Sequence, residues 1–130
     1  MSTSALARSR YARDSVTTAS PARLLVMLYD RLVRDLVTAE RALAEQGGAP
    51  AGDARDALLH AQEIVLELRA SLDLDAWDGA AGLADLYAFL HGELVAANVD
   101  RDVTRITPCR QIAEELRDAW RQAALATVSP

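Results

Sequence analysis

Apolar residues return at steps of three and four along four stretches of this chain, and short runs rich in glycine, proline or acids separate those stretches. Such spacing lines apolar side chains along one face of a helix. In the first stretch Leu25, Leu28, Leu32, Leu36, Ala39 and Leu43 share a face, which predicts a helix over about 22–46. Its start is Thr17-Thr18-Ala19-Ser20-Pro21. Ser20 is suited to accept a hydrogen bond from a free N–H of the first turn, and Pro21 suits the first helical position, where its missing N–H costs nothing. Gly47-Gly48-Ala49-Pro50-Ala51-Gly52 ends the helix. Glycine supplies the left-handed turn after a helix, and proline keeps the helix from resuming.

The second stretch places Leu58, Ala61, Val65, Leu68 and Leu72 on one face, with Asp53 as the expected N-cap and an end near Ser71. The acid-rich connection Asp73-Leu74-Asp75-Ala76-Trp77-Asp78-Gly79 follows. Leu83, Leu86, Tyr87, Leu90, Leu94 and Ala97 predict a third helix over about 80–98. The fourth is expected to use Asp102 as N-cap and to turn Val103, Ile106, Ala113, Leu116, Trp120 and Ala123 inward. Pro108 conflicts with it, because a proline removes one helical hydrogen bond and pushes the preceding residue from helical dihedrals. Either one helix bends at Pro108, which is the preferred reading, or a helix begins there with Thr107 as cap and residues 99–106 form a separate turn. Four amphipathic helices with short connections pack most simply as an all-α, antiparallel up-down four-helix bundle. After Met1, residues 1–16 contain only Leu6, Tyr11 and Val16 as large apolar side chains. They are expected to form an N-terminal segment, either flexible or docked on a groove through Tyr11, ahead of a single bundle domain over 17–130.

Composition narrows the function classes. A chain of 130 residues suits one domain, and 51% apolar content is ample for a core. A net charge of −5 disfavours a general nucleic-acid binder, which needs a basic face. Cys109 is the only cysteine, so no intrachain disulfide can form and a reducing compartment is expected. No apolar run approaches the roughly 18 residues that suggest a membrane span, and Arg8, Arg10 and Arg13 precede no signal-like apolar region. A soluble cytoplasmic protein without membrane insertion is therefore expected.

Catalytic chemistry finds little support. A four-helix bundle can hold a di-metal site built from Glu-x-x-His pairs. This chain has His60-Ala-Gln-Glu63, in reverse order, and His91-Gly-Glu93, whose spacing does not share a helix face. Two surface histidines are the simpler reading, and no metal is expected. Cys109 reads as a small apolar filler, and no glycine-rich phosphate loop is present, so no cofactor is expected. What remains is surplus apolar surface. Val26, Val33 and Val37 lie beside the first stripe, Ile64 and Leu66 beside the second, and Phe89 and Val95 beside the third. Wide stripes are ordinary in leucine-rich bundles, but an apolar groove can also accept an amphipathic partner helix, and the same surplus serves a homodimer as readily.

Several segments resemble the FliS family of flagellar secretion chaperones. They are Tyr11 and Val16, Thr18-Ala19-Ser20-Pro21, Leu24-Leu25-Val26-Met27-Leu28-Tyr29-Asp30, Ala61-Gln62-Glu63-Ile64-Val65, Glu67-Leu68, Ser71-Leu72-Asp73, Leu86-Tyr87-Ala88-Phe89-Leu90, Leu94 with Ala96-Ala97-Asn98, and Leu116-Arg117-Asp118-Ala119-Trp120. They occur in the family's order over nearly the whole chain. The resemblance implies a non-enzymatic helical bundle of the bacterial cytoplasm that holds the disordered C-terminal segment of flagellin and delivers it to the flagellar type III export gate. It implies that Tyr11 lies near the partner surface in the free protein. It makes Ile64, Leu68, Tyr87 and Leu90 candidates for the groove and equally for the core, and Gln62 and Asn98 polar contacts for partner or loop backbone. Arg31, where the family often has glycine, Pro108, and Trp77 depart from its pattern. A regulatory interaction bundle with another partner is the alternative.

Overall fold

The computed structural model describes residues 21–45 and 51–128, which form four helices: α1 (Pro21–Ala44), α2 (Ala51–Ala70), α3 (Ala80–Asp100) and α4 (Val103–Val128). Ser20, Tyr11 and the Gly47-Gly48 turn lie outside the described residues. Pro21 opens α1, as its fixed φ favours. Asp53 is not the cap of α2. The helix begins two residues earlier, and Asp53 sits in its first turn, where a carboxylate favours the positive end of the helix dipole.

The link between α3 and α4 is two residues long. Arg101 takes the left-handed conformation (φ 55) that closes α3, and the Asp102 N–H bonds the Ala97 carbonyl at 3.1 Å. Asp102 then caps α4 as expected, accepting from the Thr104 N–H at 3.0 Å and from its hydroxyl at 2.5 Å. Those bonds, the hydroxyl's first, hold the Asp102 carboxyl below its ordinary range. The helix runs unbroken through Pro108. Pro108 lies just past the first turn and forfeits the bond that an N–H there would make to the Thr104 carbonyl, and its ring faces solvent. The longer link between α2 and α3 is organised by Asp73, whose Oδ1 accepts from the Asp75 N–H at 3.0 Å. The Trp77 ring lies over Gly79 so closely that a Cβ there would come within 1.9 Å of it.

The helices form a ring in chain order, α1 packing on α2 and α4, and α3 closing the ring between them. Cross-helix pairs run in opposite directions: Glu40 meets Arg110, whereas Asp30 meets Arg117 and Arg121 further along α4. Likewise Asp35 meets His60, while residues near Pro21 lie by Ser71. The bundle is therefore up-down-up-down.

Its core takes Leu32 and Leu36 from α1, Leu58, Val65 and Leu68 from α2, Leu90 and Leu94 from α3, and Ile106 and Cys109 from α4. Burying one such aliphatic side chain contributes about 1.5–3 kcal/mol. Tyr29 and Tyr87 add a polar centre: their hydroxyls bond each other across the diagonal of the ring, and Trp120 bonds Tyr29 from α4. A buried hydroxyl needs such a partner. Burial, reinforced by the neighbouring phenol, pushes the Tyr29 hydroxyl far above its ordinary pKa, and burial raises Tyr87 too.

Candidate functional site

The flanks of α1 present two different surfaces. Toward α4 its charged residues are matched. Asp30 faces Arg121 at 3.2 Å and Arg117 at 3.7 Å. Glu40 accepts from the Thr107 hydroxyl at 2.9 Å and from Arg110, which also bonds Glu114 one turn along α4 at 2.5 Å. Both acids raise the affinity of Arg110 for its proton, Glu114 first. Beneath these pairs Val33 is buried, and Val26 and Val37 are half-buried.

Toward α2 the surface opens. Pro21, Leu24, Leu25, Met27, Leu28 and Arg31 on α1, with Glu67 and Ser71 on α2, line a furrow of about 560 Å³. Leu25 and Leu28 form its floor against the core, whereas Leu24 and Met27 stand 43% and 57% exposed at its lip. The furrow ends at a polar bridge. The Arg31 guanidinium donates to His60 Nε2 at 3.2 Å, and His60 Nδ1–H donates to Asp35. Since arginine only donates, Nε2 is the acceptor and Nδ1 carries the proton. Beyond that bridge, Arg31, Arg34, Asp35 and Thr38 line a polar hollow of about 370 Å³.

A second apolar surface runs along the α2–α3 flank. Leu59 and Leu66 are exposed on α2, and Val95 and Val99 on α3. Gln62, between the two leucines, donates to the Leu94 carbonyl at 3.5 Å. Asn98 is half-buried one turn further along α3. At one end this flank dips into a hollow of about 270 Å³ lined by Leu66, Arg69, Ala70, Leu72, Leu74 and Ala84.

The residues singled out from sequence therefore separate. Gln62 and Asn98 come together on the α2–α3 flank. Ile64, Leu68, Tyr87 and Leu90 are all core side chains, at most 4% exposed. In the free chain they pack in the interior, which was the other reading open to them. Tyr11 lies outside the described residues. Leu24 and Met27 were missed as surface residues. Their signal was local: with Arg31 and Arg34 they form a line at steps of three and four that runs beside the main stripe of α1. Of the surplus apolar residues, Val33 and Ile64 are used in packing, whereas Leu66, Phe89 and Val95 stay exposed.

Cys109 is 1% exposed, and burial followed by the charge of Glu93 pushes its thiol up to about 11, so the thiol stays protonated at neutral pH. Among the described residues no group of His, Cys, Asp or Glu side chains is placed to hold a metal ion. None of the described helices is long and apolar enough to cross a membrane. What the surface offers is apolar relief on a charged bundle, suited to receiving a partner's apolar side chains.

Residues 3–127 match the family described as flagellar protein FliS. The chain is 33% identical over 111 residues to the flagellar secretion chaperone FliS of Salmonella typhimurium, covering 84% of this chain and 80% of that one. Against the Vibrio cholerae flagellar secretion chaperone the figures are 30% over 110 residues, with 84% and 79% covered. Against that of Bacillus subtilis they are 28% over 113 residues, with 87% and 82% covered.

Proposed function

We propose a function from this premise: the chain belongs to the FliS family of flagellar proteins, whose relatives here are flagellar secretion chaperones. It acts in the bacterial cytoplasm by stoichiometric capture of the C-terminal segment of flagellin. It keeps that segment from polymerising early and delivers it to the flagellar type III export gate. The observation that carries this reading is the open apolar furrow between α1 and α2, with the exposed apolar flank of α2 and α3 beside it. A segment that assembles by burying its apolar face is sheltered by an apolar furrow, and the entropy lost on ordering it, about 2–5 kcal/mol, keeps the complex releasable. No nucleotide and no catalytic group is needed.

Within this reading, Gln62 and Asn98 supply polar contacts to the client backbone on the α2–α3 flank. Tyr11, outside the described residues, is assigned a part in client binding as well. The test is a calorimetric titration of the full chain with a synthetic peptide of flagellin's C-terminal segment, followed by circular dichroism. Binding with a gain of helix is expected. Neither heat nor helix at tens of micromolar would count against capture.

A further inference from the structure

Along the α1/α2 furrow, Asp35 of α1 is met by His60 of α2, but Arg34 on α1 and Glu63 and Glu67 on α2 do not pair across it. On α1 the exposed line begun by Leu24 and Met27 continues as Arg31 and Arg34. On α2, Glu67 lines the furrow and His60 reaches across to α1, which places Glu63, between them at helical spacing, on the same rim. Among the described residues Arg34, Glu63 and Glu67 make no ion pair or hydrogen bond, and all three are exposed. Arg31 makes its one recorded bond to His60 and belongs to both the apolar furrow and the polar hollow beyond it. The opposite rim of α1 pairs its acids with the arginines of α4. One helix thus has a rim whose charges are satisfied and a rim, beside an apolar furrow, whose charges are not.

We propose that this furrow takes an amphipathic helix of the client, with its apolar face on Leu24, Leu25 and Leu28, acidic side chains along its flank toward α1, and basic side chains along its flank toward α2. This rests on the capture reading above and adds the sign and side of the client's charges. A helix seated between two others presents one flank to each. Complementary flanks set its direction and register and accelerate encounter more than they add affinity. A client seated the other way round would bring its bases to Arg31 and Arg34 and its acids to Glu63 and Glu67.

The test uses the full chain, the variants Arg34→Glu, Glu67→Arg and their combination, and two peptides. One is the C-terminal segment of flagellin, and the other is the same peptide with the charges of its two flanks exchanged. Thermal unfolding of each variant is followed first; exposed residues without partners should leave it unchanged. Each single reversal is expected to weaken the flagellin peptide roughly five- to tenfold at low salt, with the difference vanishing near 1 M salt. The double reversal should prefer the exchanged peptide. Unchanged affinity in every variant overturns the charge assignment and leaves capture standing. Absence of binding by the unmodified chain overturns capture and this inference together. A change in self-association by sedimentation, with peptide affinity unaltered, assigns the furrow to a second copy and overturns the proposal. Tighter peptide binding by Glu67→Arg also overturns it, because that is the result expected if the chain's own Arg8, Arg10 and Arg13 compete for the furrow.

Discussion

The two sides of α1 differ less in composition than in what faces them. Both combine apolar side chains with charged ones. On the α4 side Val33 is buried and the acids above it, Asp30 and Glu40, are met by Arg117, Arg121 and Arg110. On the α2 side Leu24 and Met27 remain exposed, and Arg34, Glu63 and Glu67 have no partner among the described residues. The first side contributes to holding the bundle together. The second leaves apolar and charged side chains exposed above a furrow, although Leu25 and Leu28 beneath it pack on the core and Arg31, His60 and Asp35 bridge its far end. Matched and unmatched charges thus lie on opposite edges of one helix.

The largest expected effect checks that the core beneath both rims is shared. Tyr29→Phe leaves the Tyr87 hydroxyl buried without its partner and should cost about 1–3 kcal/mol in denaturant unfolding. Adding Tyr87→Phe removes the orphaned hydroxyl, so the double variant should be no less stable than Tyr29→Phe alone. A further fall of the same size would mean that the two hydroxyls act independently. Next, Glu40→Ala on the closed rim should lower stability by about 1–2 kcal/mol while flagellin-peptide affinity stays at its original value. An affinity loss without a stability loss would reverse the assignment of the two rims.

Alkaline unfolding probes the α4 side of the core. Burial lifts the Cys109 thiol from its ordinary 9.0 to about 11 in the folded chain. Over that interval the unfolded chain has released the proton and the folded chain has not, so stability falls as pH rises. The contribution is whole below pH 9 and is lost progressively toward 11. Tyr29 and Tyr87, also raised, extend the loss above 10. Cys109→Ala should flatten the earlier part of the decline and keep the later part. An unaltered profile would refute the thiol's share. The smallest effect is expected on the open rim, where Glu67→Ala should change stability by no more than about 0.5 kcal/mol. A larger loss would show that this edge is part of the fold's own support.

Much of the bundle was legible from spacing alone. Three- and four-residue steps identified all four helices, and the Asp102 cap could be read because its partner, Thr104, is a near neighbour. The start of α2 and the burial of Ile64 were not legible. A helix end depends on a turn's worth of weak local preferences, and Asp53 serves almost as well one turn in as at the cap. Ile64 and Leu66 both lie off the predicted stripe, yet the first is 4% exposed and the second 48%. Which of them packs depends on the helices on either side. Motif resemblance likewise gathers residues that matter to a family without separating those that face a partner from those that shape the interior.

By itself the sequence determined the number of helices, the inward line of each, and the left-over apolar and charged residues beside those lines, because these follow from periodicity and local hydrogen bonding. Only the tertiary structure decided that Asp30 and Glu40 would be answered while Arg34 and Glu67 would not. Their possible partners lie far along the chain, 70 residues away for Arg110 and 91 for Arg121. Which of them arrives is settled by the order of helices around the ring, and a helix carries no record of its neighbours in its own spacing.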